Sequence, residues 1–554
     1  MTIPRHRPRS GPVALVLRAA CTIVLTGALA AAPRAASARS GAAPFVDSGT
    51  LTIAGYGSAA DIDPASDELA SSDMIARNID ETLVDFNGGS IDSYSPALAT
   101  SWSTNTDKSV WTFHLRHGVA FHTGRCCMTA TDVQYSLART MQAGLTNGYV
   151  LARFITNPMK QIKIVDPYTI EFDLGRSQPI FIAALTQDYA ELILDSQALK
   201  AHTLNANTKK SDWGHTWAQS NDAGTGPYTI QSWTHSQQVT LTRFAKYWGG
   251  WSGPHFSKVV VESVPSSATR RELVEKGTAD ITSDLTPQDY DALRKEPAVK
   301  LAIHYATEVE YLPLTESGPL ASPLARQAMS YAFNYDAYLQ AAYRSYGRRA
   351  YGPIPRALLG YDPSMFHYQT DLNKAKALFA KAGVAPGTTF TYTYSNGQDE
   401  FEIAGRILQA ELQQIGYNLK MQGLDEAAYS NLFYGSEPAN KRPNILEFGW
   451  WPDYNDPYDE SIPLVASYSG GSAGANAGFY HNAQVDKLLA EMKNADRPSL
   501  ISDAKQLQNI TSQQDPPAIW LDEPAQVSVM AANLKGFVFN PLSIDTYDFY
   551  TLHH

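Results

Sequence analysis

Cysteine is scarce in this chain. Among 554 residues there are three, Cys21, Cys126 and Cys127. The last two are adjacent and cannot clip distant segments of one chain together. A fold of this length must therefore be held by its core and not by a disulfide framework. Long apolar runs are also scarce: beyond residues 19–32, none approaches membrane-spanning length. No phosphate-cradling Gly-x-x-x-x-Gly-Lys loop and no dinucleotide fingerprint is present, which leaves nucleotide chemistry without a motif. Cations are in deficit: 44 Lys and Arg stand against 55 Asp and Glu, for a net charge of −11. That balance suits nucleic acid poorly as a partner.

What is present begins with a basic N-terminus carrying Arg5, Arg7, Arg9 and Arg18. The apolar run of residues 19–32 follows, then Ala36-Ser37-Ala38. This order predicts a secretory signal peptide over residues 1–38, cleaved near Ala38. An uncleaved anchor is the alternative, on a run short for a membrane span. Arg18 lies three residues before Cys21, which argues against lipid attachment there and for a free exported protein. Loss of the segment removes five Arg charges and takes the chain from −11 to −16. The remainder, 44% hydrophobic and 18% charged overall, is globular in composition and long enough for two or three domains.

Strand and helix patterns alternate irregularly. Residues 51–54, 110–115, 239–242 and 259–262 read as strands, and residues 162–164 and 169–172 as a hairpin around Asp166-Pro167. Thr131 with Gln134 three residues on predicts a helix start. Helical spacing recurs over residues 74–84, 323–339, 371–381, 401–415 and 485–492. Residues 469–478, rich in Gly, Ser and Ala, read as a loop. The alternation predicts α/β or α+β lobes and no repeat array.

Three motifs offer chemistry. Gly470-Gly471-Ser472-Ala473-Gly474 matches the nucleophile elbow of serine hydrolases, with Ser472 as nucleophile, but no helix start follows it. Ser502-Asp503-Ala504-Lys505 lacks the companion motifs of its enzyme class. His114, His117, His122, Cys126 and Cys127 are metal-ligand types without zinc spacing, so no metal site is assigned. An oxidising compartment also allows Cys126 and Cys127 to form a vicinal disulfide.

The most informative stretch is residues 449–457, Gly-Trp-Trp-Pro-Asp-Tyr-Asn-Asp-Pro. Two prolines bracket aromatic faces and carboxylates, which predicts a rigid, shaped turn. A carboxylate among aromatic rings receives a cationic group well. The same residues also suit a buried aromatic corner with solvated acids.

Ordered stretches along the chain resemble one family. Ser95-Pro96-Ala97-Leu98-Ala99-Thr100-Ser101-Trp102 precedes Trp111-Thr112-Phe113-His114-Leu115-Arg116, then Gly118-Val119-Ala120-Phe121-His122-Thr123-Gly124 and Thr129-Ala130-Thr131-Asp132-Val133. Thr225-Gly226-Pro227-Tyr228, Gly277-Thr278-Ala279-Asp280-Ile281 and Arg326-Gln327-Ala328-Met329-Ser330-Tyr331-Ala332 continue the order. The set resembles the extracellular solute-binding proteins of the peptide/nickel class, family 5, the receptors of ABC importers.

The resemblance implies an α/β, two-lobed periplasmic-binding-protein-like fold of class II type. An extra subdomain would sit in the first lobe, and a hinge would close the lobes on ligand. The first lobe would be residues 39–308 with 519–554, including the subdomain at about 89–212, and the second residues 309–518. It implies a receptor and no enzyme, with no cofactor. The receptor would be a monomer that passes a short peptide or similar amine-bearing ligand to ABC permease subunits. An oligosaccharide, opine or metal chelate is the alternative ligand.

By the same match, Asp453 anchors an α-ammonium and Trp450 lines a side-chain pocket, with Trp451 and Tyr454 in the same loop. Glu447 stands where oligopeptide-binding relatives carry an arginine for the ligand carboxylate. Arg348 and Arg349 are candidate substitutes for that arginine.

Overall fold

The computed structural model describes residues 44–554, apart from 58, 67–69, 188 and 544–545. The expected signal peptide and Cys21 lie outside the described residues. Among those described, no helix is long and apolar enough to cross a membrane.

The organising element is the strand Ala518–Ala531. Its first part pairs antiparallel with Val309–Pro313, and its later part with Val299–Tyr305 and Ile281–Thr282. The ten-stranded sheet runs from Phe448–Trp450 at one edge, through Val309–Pro313 and Ala518–Ala531, to Thr50–Gly55, Lys258–Ser263, Gln238–Arg243 and Tyr228–Thr234. The first six residues of the long strand are buried, while Pro524, Ala525 and Gln526 in its middle are partly exposed.

Separate cores pack along this sheet. Leu51, Ile53, Tyr228 and Val259 build one near its far end. Leu312, Met329, Phe379, Phe390 and Leu408 build another, and Tyr311, Leu446, Val485 and Leu507 a third. The second core takes the parallel pair Thr389–Ser395 and Asn418–Leu424, joined by the helix Asp399–Gln414. A four-stranded antiparallel sheet, Ala99–Thr104, Val110–Leu115, Thr169–Asp173 and Ile162–Asp166, has its own core of Phe113, Leu137, Phe172 and Phe181.

The alternating segments and the Asp166-Pro167 hairpin form as expected, because period-2 apolar patterning leaves one register that buries a face. Three boundaries differ. The helical spacing over residues 74–84 is a helix, Ala70–Ile79, and then a strand that starts at Val84. The helix expected from Thr131 starts at Ala130, with Thr129 as N-cap in a capping box with Asp132. A carboxylate is a stronger acceptor for the free backbone N–H than the amide of Gln134. The helical spacing over residues 323–339 is two helices, Pro323–Ala332 and Tyr335–Ala342. Asn334 caps the second by accepting from Ala337 N–H, which restarts the backbone ladder.

Cys126 and Cys127 are joined as a vicinal disulfide. The three nearby histidines point to different neighbours: His117 stacks on Tyr168, His114 meets Thr169, and His122 pairs with Asp222 at 2.6 Å.

One buried ion pair ties the antiparallel subdomain to the chain before it. Arg139, on the helix Ala130–Gln142, donates to both carboxylate oxygens of Asp63, and His215 Nδ1 lies 2.8 Å from Asp63 Oδ2. Burial opposes the charge of Asp63, but Arg139 and His215 win and hold its pKa below the ordinary value. Asp63→Asn leaves Arg139 buried without its counter-charge and should cost about 3–5 kcal/mol in urea unfolding at pH 7. The contribution is complete above the unfolded carboxylate range and is lost as pH falls through the depressed folded value. The variant's penalty should therefore shrink in acid.

Candidate functional site

The aromatic stretch leaves the sheet edge as a strand and enters a helix. Phe448–Trp450 pairs with Val309–Tyr311, and the ladder continues through Leu446 N–H to Pro313 O. Pro457 opens the helix Pro457–Val465, where a missing N–H costs nothing. Asp456 is its N-cap, accepting from Tyr458 N–H at 3.0 Å. Between strand and helix, Asp453 N–H donates to Asp459 Oδ2 at 2.8 Å. This hydrogen bond fixes the turn.

The loop is met from the antiparallel subdomain. Arg153 donates to Asp456 Oδ2, to the Tyr454 hydroxyl at 3.0 Å and to Lys493 O at 3.3 Å. Tyr454 is 1% exposed and belongs to the subdomain's core, tilted against Phe154. Asn455 donates to Asp92 Oδ1 at 2.8 Å and accepts from Leu359 N–H at 2.7 Å.

Asp453 differs from Asp456 in what it meets. Its Oδ1 accepts from the Tyr149 hydroxyl at 2.8 Å and from the Tyr189 hydroxyl. Both donors are neutral. Burial raises the Asp453 pKa, and the two tyrosine hydrogen bonds only partly offset it. Glu191, 1% exposed, has both carboxylate oxygens buried without a donor, and its pKa is driven well up by burial and then by the Asp453 charge. Asp459 is raised by burial, then by Asp453 and Asp456. Among the described residues, carboxyl groups thus converge here with the Arg153 guanidinium, which is already on Asp456. A cation brought to Asp453 would favour the ionised form that burial opposes.

The remaining candidate residues separate by strand face. Trp450 and Phe448 share one face and pack against the third core, with the Trp450 indole N–H buried and without an acceptor. Trp451 is exposed at 45%. Glu447 lies on the other face, 4% exposed, with Oε1 accepting from Ser395 N–H at 3.1 Å. Burial first, and the charges of Glu310, Glu400 and Glu426 next, push its pKa up to about 8 against the Ser395 hydrogen bond.

Arg348 is taken by Glu523, and Arg349 by Tyr368 O and the Tyr335 ring. Ser472 is exposed in the short turn Gly471–Ala473, which is a 3₁₀ turn and not a strand-to-helix elbow. The described residues hold no group of three or more His, Cys, Asp or Glu arranged for a metal ion. Tyr149, Tyr189, Arg153 and Glu191 carry no signal in the sequence, since they reach the loop from some 300 residues away in the chain.

The fold and loop match a family of receptors. A model described as bacterial extracellular solute-binding proteins, family 5 middle, matches residues 93–472, and the chain belongs to that family. These are binding proteins and not enzymes, and the two-lobed periplasmic-binding-protein fold is theirs. The chain is similar to the probable D,D-dipeptide-binding periplasmic protein of Escherichia coli K12, at 29% identity, covering 82% of this chain and 84% of that protein. It is similar to heme-binding protein A of Haemophilus influenzae, at 26% identity, covering 87% and 88%. Its structure resembles the ABC transporter-associated periplasmic binding protein of Helicobacter pylori in complex with the peptide STSA. That match has a TM-score of 0.77 and 26% identity, covering 91% of this chain and 98% of the other.

Glu447 gives a pH prediction. Its folded pKa is raised, so its burial costs nothing in acid and progressively destabilises the fold as pH rises from the unfolded value toward about 8. Glu447→Gln should unfold like the parent near pH 4. At pH 9 it should be more stable by on the order of 2 kcal/mol in a urea series.

Proposed function

We propose that the protein is the extracytoplasmic binding component of an ABC importer. It captures a short peptide or similar amine-bearing ligand between its lobes and presents the closed form to membrane permease subunits. The observation that carries this is Asp453. It is a carboxylate in a family-matched loop whose hydrogen-bond donors among the described residues are neutral tyrosine hydroxyls, beside Glu191, which has no donor among those residues.

Asp453 receives the ligand ammonium, and the exposed Trp451 ring offers apolar contact beside it. An extended peptide adds backbone hydrogen bonds to these contacts. Burying the ammonium with Asp453 offsets two desolvation costs only if water is excluded and the remaining hydrogen bonds are made, which is what lobe closure provides. The chain crosses between lobes near residues 305–312 and 512–522, with residues 39–308 and 519–554 on one side and 309–518 on the other. The protein is exported after cleavage near Ala38 and acts as a monomer.

The peptide-binding names of the Escherichia coli and Helicobacter pylori relatives support this reading. A second reading, a non-peptide ligand such as an oligosaccharide, opine or metal chelate, is supported by the heme-binding relative and by Glu447 in place of an arginine.

Asp453→Asn should weaken peptide binding by about 2–5 kcal/mol in titration calorimetry, as when one partner of a buried charge pair is truncated. Unchanged affinity would remove the anchoring role. In a thermal-shift screen, peptide pools should raise the melting temperature and glycan pools should not, because only a ligand of the native state stabilises it.

A further inference from the structure

Away from the Asp453 loop, a cavity of about 160 Å³ opens among segments that lie far apart in the chain, residues 77–85, 95–97, 247–248 and 548–550. A cavity of about 150 Å³ holds one benzene-sized ring. Tyr247, Trp248 and Tyr550 form an aromatic wall, with the Tyr247 ring 5.3 Å from Trp248 and 5.2 Å from Tyr550. An aromatic wall with a few convergent polar groups is what a small-molecule site requires.

Asp80, in the same lining, has a polar atom without a partner. It is 2% exposed, and its Oδ1 is buried without a donor. The carboxyl fits there only because residue 224 is glycine, since a Cβ would lie 2.0 Å from Asp80 Oδ1. The neighbouring polar groups are already engaged. Glu81 accepts from the Thr225 hydroxyl at 2.7 Å, the Trp248 indole N–H at 2.9 Å and the Tyr247 hydroxyl at 3.2 Å. Arg77 donates to both oxygens of Asp85 at 3.2 Å, and Arg116 stacks on the Trp248 ring at 3.6 Å.

The charge of the ligand follows from this lining. Burial first, and the charges of Asp222, Asp63 and Glu81 next, drive the Asp80 pKa well up. Asp80 is then an uncharged acid at pH 7, with one O–H to donate and a carbonyl oxygen to accept. A cation would have to displace that proton. An anion would meet Glu81, Asp85 and Asp548 while Arg77 is committed to Asp85.

We propose that this cavity is a second binding site, separate from the Asp453 loop, and that it takes one uncharged polyhydroxylated ring of hexose or cyclitol size. Asp80 donates to one ring hydroxyl and accepts from the next, and the C–H face of the ring meets the aromatic wall. At this volume a single ring enters and a glycan chain does not. The site stands whatever the Asp453 loop binds.

Ligand-observed NMR titrations of the intact chain test this with myo-inositol, D-glucose and D-galactose, and with butylammonium and butyrate as charged controls. At least one polyol should bind with a Kd of about 1 mM or tighter, and neither charged control should come within about tenfold of it. Ala97 lines the cavity. Ala97→Phe puts a ring into the space and should weaken that polyol about tenfold or more. Asp80→Asn keeps a donor and an acceptor and should bind within about threefold of the parent, whereas Asp80→Ala should lose about tenfold.

If none of the three polyols binds, or if binding survives Ala97→Phe, the site is overturned. Equal affinity in Asp80→Asn and Asp80→Ala also overturns it, and that comparison reads the site even if Ala97→Phe folds poorly. If butylammonium binds best and is lost in Asp80→Asn, the cavity selects a cation and the proposal falls.

Discussion

Arg153 reaching into the loop of residues 452–457 is the contact on which the site depends. The guanidinium neutralises Asp456, touches the Tyr454 hydroxyl and meets Lys493 O. With Tyr454 inserted in the subdomain's core, these bonds lock the loop against an element 300 residues earlier in the chain. The consequence is an asymmetry between two acids three residues apart. Asp456 is compensated and caps a helix. Asp453 is left with neutral donors, and Glu191 with none. A preformed, undercompensated carboxylate costs stability in the free protein and returns it when an ammonium arrives.

The same constraint extends along the sheet. Strand Ala518–Ala531 carries both halves of the molecule's pairing, and Asp522 on it brings a third carboxyl group to the face that Glu310 and Glu447 share. Aromatic cores fill the opposite face: Phe448, Trp450 and Tyr311 pack there. Apolar packing on one side of the edge strand fixes the register, and register then fixes which acids face one another.

Much of the local structure was legible. Prolines and aromatics at residues 449–457 announced a shaped turn, and Asp456 before Pro457 is the helix cap that position calls for. Period-2 patterns placed the hairpin and the sheet strands. The misses have local causes. Asp132 outcompeted Gln134 as the capping partner, and Asn334 restarted a helix whose apolar spacing ran on unbroken. The site was legible as a loop but not as a surrounding. Nothing in the neighbourhood of Tyr149, Tyr189 or Glu191 marks them in sequence, because what distinguishes them is contact with residues far along the chain.

Sequence by itself determined the class of the protein, the loop that carries Asp453 and the presence of an acid at position 447. These follow from residue type and order, which local chemistry reads directly. Only the tertiary structure decided that Asp456 is paired while Asp453 is not. It also decided that Trp450 packs inward beside Phe448, and that Glu447 joins Glu310 and Asp522 on one buried face. The reason is that a charge's role is set by its solvation and its neighbours, and both exist only once strands from distant parts of the chain have come into register.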